Sequence, residues 1–214
     1  MIPHILDEKV EAYLAAMAVE HGLPHPVFDH MHAAAFERTF PIVGPEVGRL
    51  FMQLAMMRRP ARILELGSGF GYSAIWWALG CPTAEIHLTD NRSANLEQAR
   101  AFANEAGVAD QLHFHVGDAL ETARALPGPW DIVFCDIDKG EYPAALEFAN
   151  GVARPGDILI FDNMLWYGKV ARPRDWDRET ESLVSATRLI YKDAAWAASL
   201  LPVRDGVLLA VRKG

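Results

Sequence analysis

Six short apolar runs, rich in β-branched and aromatic residues, recur along the chain after residue 60. They are Arg62–Leu66, Glu85–Asp90, Leu112–Val116, Asp131–Asp136, Ile158–Asp162 and Gly206–Val211. Segments with helical periodicity lie between them, and the alternation predicts an α/β fold with a doubly wound, mostly parallel sheet that helices cover on both faces. A seventh run, Ala195–Val203, is joined to the last one by the short Arg204–Asp205 turn. This spacing predicts antiparallel pairing at the C-terminus.

The clearest of the helical segments is Ser93–Ala106, which Gly107 ends. Its predicted buried face consists of Leu96, Ala99, Phe102, Ala103 and Ala106. Residues 1–60 show no strand signal, but Asp7–Glu20 and Pro45–Arg59 have helical patterns. The predicted apolar face of the first consists of Val10, Tyr13, Leu14 and Met17. We interpret residues 1–60 as a helical cap over the ligand end of the sheet or as a partner surface, within one domain spanning 1–214.

Composition and charge narrow the class of protein. Hydrophobic residues make up 51% and charged residues 22% of the chain, a balance typical of globular proteins. The net charge of −8 disfavours a large nucleic-acid-binding face. Cys81 and Cys135 lack metal or redox spacing, which favours the cytoplasm. We expect no signal peptide at the N-terminus, and the uncharged stretch 66–84, with its glycines and a proline, is not expected to span a membrane.

A glycine-rich turn follows the first predicted strand, in the segment ELGSGFGYS from Glu65 to Ser73. Such glycines allow a sharp strand-to-helix turn and leave room for a ligand against the backbone N–H groups. Tyr72 stands where a dinucleotide fingerprint has its third glycine, so the turn indicates a nucleoside-type cofactor other than a dinucleotide. Asp90 ends the second strand and can accept both hydroxyls of a ribose. The alternative is a loop acid or helix cap.

Three further strand ends carry acids. Asp118 ends the third strand and could meet the cofactor's base, or it could simply cap a helix over Ala119–Leu126. Asp136 ends the fourth strand, and Asp162 with Asn163 ends the fifth. Neighbouring strand ends of a doubly wound sheet meet at its ligand edge, where these oxygens suit Mg²⁺ or Ca²⁺. Lys139 lies close enough in sequence to reach the same pocket. Solvated ion pairs and turn chemistry are the alternatives.

Together these motifs resemble a known family, the cation-dependent, S-adenosylmethionine-dependent O-methyltransferases that include catechol and caffeoyl-CoA O-methyltransferases. The resembling stretches are the lead-in Gly44–Gly48, ELGSGFGYS, Asp90, GDAL, FCDIDKGEYP, FDNMLWYGKV and LLPVRDGVLLAVRKG. The resemblance implies a seven-stranded Rossmann-like methyltransferase sheet and Lys139 as the general base. It implies that Asp136, Asp162 and Asn163 bind a divalent cation, Mg²⁺ before Mn²⁺ or Ca²⁺. The implied methyl-donor contacts are Val43, Glu65, Gly67, Tyr72, Ser73, Asp90, Asp118, Ala119 and Asp136.

The function that follows is methyl transfer from S-adenosylmethionine to a hydroxyl of a small catechol-like or hydroxycinnamoyl-type acceptor. Binding two adjacent oxygens at a cation would lower their pKa and aim one of them at the methyl group. Family resemblance also suggests a homodimer formed through the N-terminal helices. One alternative uses the same site to methylate 5-hydroxyuridine in tRNA, for which Arg172, Arg174 and Arg178 form a small basic group. A nicotinamide-dependent oxidoreductase and a noncatalytic donor-binding module are the other two alternatives.

Several histidines and aromatic residues carry weaker signals. His25, His30 and His32, in a segment without a family match, could form a second metal site, although solvated positions or packing within the cap are favoured. His113 and His115 share one strand face and are interpreted as structural. The aromatic residues are assigned from their surroundings in the sequence. Trp76, Trp77 and Phe102 are predicted in the core, and Trp166 and Tyr167 in a wall of the substrate site.

Overall fold

A computed structural model describes residues 6–214 as a seven-stranded sheet flanked by helices. The strands are β1 Arg62–Leu66, β2 Glu85–Asp90, β3 Leu112–Val116, β4 Ile132–Cys135, β5 Ile158–Phe161, β6 Trp196–Leu201 and β7 Val207–Arg212. The helices are α1 Glu8–Val19, α2 Val27–Arg38, α3 Gly44–Arg58, α4 Tyr72–Gly80, α5 Ser93–Glu105, α6 Ala119–Ala125, α7 Tyr142–Val152 and α8 Arg178–Lys192. The first five residues of the segment considered for a signal peptide lie outside the described range.

The sheet has the strand order β3-β2-β1-β4-β5-β7-β6. The five strands from β3 to β5 pair in parallel, whereas β7 runs antiparallel to both β5 and β6. Chain order reverses between β1 and β4, and α/β sheets bind ligands at the carboxyl ends of the strands beside such a reversal. The predicted doubly wound sheet with an antiparallel C-terminal strand is confirmed. Asp136 and Asp162 fall one residue beyond β4 and β5, in the loops of that edge.

Two hydrophobic layers cover the sheet. One contains buried residues of α2, α3, α4 and α5, and the other contains those of α6, α7 and α8. Trp76, Trp77 and Phe102 belong to the first layer, as predicted, and the whole predicted face of α5 is buried. Within residues 6–214, no helix is both long and apolar enough to cross a membrane.

The N-terminal segment differs from the prediction in one helix. Two helices were predicted there and occur as α1 and α3, but α2 lies between them. Its sequence VFDHMHAAAFER mixes polar and apolar positions, so its periodicity is weak. Val27, Phe28 and Met31 are nevertheless fully buried in the hydrophobic layer that also contains residues of α3, α4 and α5. By contrast, α1 buries only Ala18, and its predicted apolar residues Val10 and Tyr13 are 46% and 63% exposed.

Candidate active site

A cavity of about 430 Å³ opens at the carboxyl ends of the parallel strands. The loop before α3 and the loops after β1, β2, β3, β4 and β5 form its wall. Residues from the sequence prediction that line it are Val43, Gly67, Tyr72, Ser73, Asp90, Asp118, Ala119, Asp136, Lys139, Asp162 and Asn163. Glu65 is the predicted site residue outside this wall. The fold therefore gathers the predicted donor and cation residues around one space.

The glycine turn shapes one end of the cavity. Gly67 has a φ of +80°, and a Cβ there would lie 2.4 Å from the backbone oxygen of Asp136, so no side chain fits between the β1 and β4 loops. Gly71, with a φ of +82°, precedes the first turn of α4. The backbone N–H groups of Gly67 and Ser68 both donate to the carbonyl of Thr89. The turn is thereby tied to the end of β2 and leaves bare backbone beside the cavity.

Asp90 is held firmly at this end. Its Oδ2 accepts from the Gly69 N–H at 3.0 Å, and its Oδ1 accepts from the Arg92 N–H at 2.8 Å and from Asn95 Nδ2 at 3.1 Å. A carboxylate offers about four acceptor positions, so roughly one remains for a ligand. Asn95 is buried and is itself contacted by Arg38 of α2 at 3.2 Å. Asp90 can therefore stabilise its loop and still accept a hydrogen bond from a ribose hydroxyl, so the two roles predicted for it are compatible.

Asp118 also has a structural role in addition to its place in the wall. Its side chain accepts from the Glu121 N–H at 2.8 Å and caps α6, which was the alternative considered from the sequence. The side chain is otherwise exposed, and Ala119 follows it along the cavity.

Glu65 and Tyr72 have buried partners. Glu65 is fully buried on β1 and accepts from Trp77 Nε1 at 3.0 Å, while burial raises its pKa to about 8. The Glu65 carboxyl thus links β1 to α4 through Trp77. Its predicted contact with the methyl donor remains a prediction. The hydroxyl of Tyr72 lies 2.8 Å from His32 Nε2, and burial raises the pKa of this phenol. His32 is a contact that the sequence did not indicate.

Lys139 occupies the opposite end of the cavity. Its Nζ donates to Asp136 Oδ1 at 2.6 Å and to the Tyr142 hydroxyl at 2.9 Å. The Tyr142 hydroxyl donates to the backbone oxygen of Asp162 at 2.9 Å, which leaves its lone pairs facing the amine. Tyr142 therefore fixes the position of Lys139. Tyr142 lies within the motif FCDIDKGEYP, and its role was not predicted from the sequence.

Two carboxylates converge here with little positive charge. Asp162 is buried, and burial together with the nearby Asp136 carboxylate raises its pKa to about 7. Asn163 follows Asp162 in the same loop, has a backbone φ of +55° and lines the cavity. Two acids and an amide oxygen form the oxygen set that a hard divalent cation takes, and such an ion would relieve their repulsion. The residues present therefore fit a cation.

The rest of this end is aromatic and acidic. Trp166 and Tyr167 line the cavity, as predicted for a substrate wall, and Lys139 Nζ lies 5.8 Å from the Trp166 ring centroid. The Tyr167 N–H donates to Asp205 Oδ1 at 2.6 Å, so the β6–β7 turn holds this wall. Three more acids, Asp138, Glu141 and Glu179, also line the cavity.

The N-terminal histidines do not gather into one site. His25 accepts from the Val27 N–H at 3.1 Å at the start of α2, His30 lies 2.5 Å from Glu105, and His32 contacts Tyr72. His25 and His32 are half-buried in the cap and His30 is exposed, in keeping with the solvated or packed positions favoured from the sequence. Among residues 6–214, a group with metal-binding spacing occurs on β2 and β3 instead.

Known proteins resemble this chain over most of its length. Residues 24–213 match the family model described as O-methyltransferase. A catechol O-methyltransferase of Mycobacterium tuberculosis is 34% identical over 135 residues, which span 62% of this chain and 61% of that relative. A catechol O-methyltransferase of Niastella koreensis is 28% identical over 183 residues, covering 80% of this chain and 82% of the relative.

A solved structure shows the same architecture with a ligand. The O-methyltransferase from Streptomyces achromogenes involved in tomaymycin synthesis, in complex with S-adenosylmethionine, superposes with a TM-score of 0.85 at 26% identity, covering 98% of this chain and 100% of that one. The fold, the cavity and the matched family model agree, and they leave no support for a nicotinamide enzyme or a noncatalytic module. The chain belongs to the O-methyltransferase family and is an S-adenosylmethionine-dependent O-methyltransferase.

Proposed function

We propose that the protein transfers the methyl group of S-adenosylmethionine to a hydroxyl of a small catechol-like or hydroxycinnamoyl-type acceptor, in a divalent-cation-dependent reaction. One observation carries the proposal. Asp136, Asp162, Asn163 and Lys139 converge in the cavity whose other end is the glycine turn. The names of the two catechol O-methyltransferase relatives agree with this acceptor class.

The donor would lie along the glycine turn. The turn around Gly67 offers backbone space for it, and Asp90 accepts a ribose hydroxyl. Tyr72, Ser73 and Val43 line the same end, with Asp118 and Ala119 beside the base. This half needs no cation, since its acids already have backbone or amide donors.

The cation would be held by Asp136, Asp162 and Asn163, with Mg²⁺ favoured over Mn²⁺ or Ca²⁺. When bound, it supplies positive charge that orients two adjacent acceptor oxygens and makes a hydroxyl easier to deprotonate. The chain's own contribution is to hold that hydroxyl in line with the methyl group, between Trp166, Tyr167 and the donor.

Lys139 is the proton acceptor in this mechanism. A neutral amine has two N–H groups and one lone pair, and the two N–H groups have partners in Asp136 and Tyr142. The lone pair is then left for the acceptor hydroxyl, whose proton would move to Nζ as its oxygen bonds to the methyl carbon. The bond between that carbon and the donor's sulfonium sulfur would break, and the sulfur would leave as a neutral thioether.

The charge of the cavity favours a small acceptor over tRNA. Asp138, Glu141 and Glu179 line the wall and would repel a phosphate backbone. Of the small basic group, Arg172 already contacts the Tyr167 carbonyl at 3.1 Å and Asp175 at 3.8 Å. The tRNA alternative is therefore disfavoured.

Methyl transfer to a panel of acceptors tests the proposal. Catechols, hydroxycinnamoyl thioesters and hypomodified tRNA would each be incubated with labelled S-adenosylmethionine, with Mg²⁺ or after chelation. We expect Mg²⁺-dependent methylation of a small hydroxylated aromatic and unchanged donor binding in chelator. Full-rate methylation by metal-free protein would refute the cation requirement, and methylation confined to tRNA would refute the acceptor class.

We also propose that residues 1–214 act as one domain, a cap over 1–60 on a core over 61–214, in a cytoplasmic homodimer. The exposed apolar face of α1, with Val10, Tyr13 and Leu14, supports pairing through the N-terminal helices. Cys81 and Cys135 are buried and unpaired, in keeping with a reducing compartment. Light scattering during gel filtration would show a dimer that Tyr13→Glu weakens. A monomer in the unaltered protein would contradict this.

A further inference from the structure

A histidine cluster lies on one face of β2 and β3, at the edge of the sheet. Parallel pairing sets His87 beside His113 and Thr89 beside His115, and alternate residues of a strand share a face. The His87 ring stacks on His113 at 4.6 Å and on His115 at 5.2 Å. The candidate ligand atoms of Glu85, His87 and His113 all lie within 4.8 Å of one another.

The hydrogen bonds of His87 fix which of its nitrogens carries a lone pair. Arg62 Nη2 lies 3.1 Å from His87 Nε2, and a guanidinium can only donate, so Nε2 is the acceptor. In the neutral ring, Nδ1 then carries the hydrogen and donates to His115 Nε2 at 3.0 Å. His87 therefore offers its Nε2 lone pair on the side where Glu85 Oε2 lies, 4.0 Å away.

A positive group, the Arg62 guanidinium, already contacts two of these ligands, Glu85 and His87. Arg62 Nε lies 3.4 Å from Glu85 Oε2, and its guanidinium carbon lies 4.4 Å from the Trp130 ring centroid. The Nε–H is buried and has no hydrogen-bond partner among the described residues. The cluster thus binds the Arg62 guanidinium through the Glu85 carboxylate and the Nε2 lone pair of His87. The Nε–H of that guanidinium is the donor left without a hydrogen bond among the described residues.

We propose that Glu85, His87 and His113 form a second metal site, which takes a transition-metal ion of the Zn²⁺ class in place of the Arg62 N–H groups. Two imidazole nitrogens and one carboxylate oxygen suit Zn²⁺, Ni²⁺ or Cu²⁺, whereas Mg²⁺ takes an all-oxygen set. Glu85 and His113 are exposed, so their side chains are free to rotate, and the His113 ring would turn out of its stack on His87 to bring the donor atoms to the ~2.0–2.2 Å ligand distances of Zn²⁺.

His115 would be the outer partner of this site. Metal-binding histidines usually donate their second N–H to a neighbouring group, which fixes the ring, and His87 already makes such a bond to His115. The ion would join the edge strand β3 to β2 through His113. Its role is therefore structural, and it is independent of the methyl-transfer cavity.

Calorimetric titration of the full chain with Zn²⁺, in excess Mg²⁺, tests the site. His113→Asn removes one exposed ligand, and His21→Asn, at an exposed histidine outside the cluster, is the matched control. We expect the unaltered chain and His21→Asn to bind one Zn²⁺ more than His113→Asn does. Zn²⁺ should also shift the imidazole nitrogen NMR signals of His87 and His113. Equal stoichiometry in all three proteins, or unshifted signals, would overturn the site.

Two further variants test the assigned atoms. His115→Phe should weaken Zn²⁺ binding by the ~10–100-fold typical of losing an outer-shell partner. Arg62→Gln removes the competing guanidinium and should tighten binding. Weaker or unchanged Zn²⁺ binding in Arg62→Gln would contradict the proposal that Zn²⁺ replaces the Arg62 N–H group at His87 Nε2. Thermal unfolding of each variant without Zn²⁺ checks that it folds.

Discussion

The two ends of the cavity use carboxylates in opposite ways. At the donor end, Asp90 accepts three hydrogen bonds and Asp118 caps α6. At the acceptor end, the Asp136 carboxylate accepts from Lys139 and Asp162 lies near it, and burial with the repulsion from Asp136 raises the pKa of Asp162 to about 7. The carboxylates of the donor end have backbone and amide donors, whereas those of the acceptor end repel each other, and the proposed cation site rests on this difference.

The largest expected effect comes from removing an acid at the acceptor end. Asp162→Ala should abolish turnover at low Mg²⁺ and leave partial activity at high Mg²⁺, because one cation ligand is lost. Donor affinity measured by calorimetry should stay unchanged, since the donor end has its own hydrogen bonds. Asp110→Asn, at an exposed carboxylate outside the cavity wall, is the control. Full turnover of Asp162→Ala in chelator would contradict the proposal that the acceptor end, unlike the donor end, depends on a cation.

Lys139→Ala should lower kcat by on the order of 10²–10⁴, because the hydroxyl proton loses its positioned acceptor. The Mg²⁺ dependence should change little. Activity should recover in part at higher pH, where the acceptor hydroxyl ionises unaided. A pH–rate profile beside that of Lys192→Ala, an exposed lysine, checks this. A loss below tenfold would mean that Lys139 only neutralises Asp136.

Substitution at the donor end should affect binding of the donor instead. Asp90→Ala should weaken S-adenosylmethionine binding by about 1–3 kcal/mol, or roughly 5- to 150-fold in Kd, since a ribose hydroxyl loses its partner. Asn95→Ala keeps the carboxylate but removes one brace, and should cost about 1 kcal/mol, roughly fivefold. Calorimetry with chelator present measures both. An Asp90→Ala protein with unaltered affinity would move the ribose site elsewhere.

A separate effect, on stability and not on turnover or donor binding, is expected beneath the donor end. Burial raises the pKa of Glu65 to about 8, above its ordinary 4.5, so the fold favours the protonated acid. Its stabilising contribution is complete below pH 4.5 and is lost as the pH rises toward about 8. Glu65→Gln should remove this loss. The difference in Tm between the two proteins should therefore change across that pH range, and a constant difference would contradict it.

Local patterns predicted most of the fold. The three strands β1, β2 and β3 have their predicted bounds, since short apolar runs between glycines and polar residues leave little choice of register. The helix α2 was missed because its histidines and alanines blur the periodicity, and only its packing against other helices, such as Phe28 on Trp76 of α4, fixes it. The exposed face of α1 shows the converse, since a clear apolar pattern there remains largely uncovered in the described chain.

The sequence by itself determined the alternation of strands and helices, the glycine turn and the acids at the strand ends, because backbone propensity and hydrophobic periodicity are local properties. Only the tertiary structure decided how each acid is used. Asp90 ends β2 and Asp162 follows β5. The first is satisfied by the loop around it, whereas the second lies near Asp136 at the end of the neighbouring strand. The same holds for Tyr142 behind Lys139 and for the histidines of β2 and β3, because the partners come from segments that pair only when the chain folds.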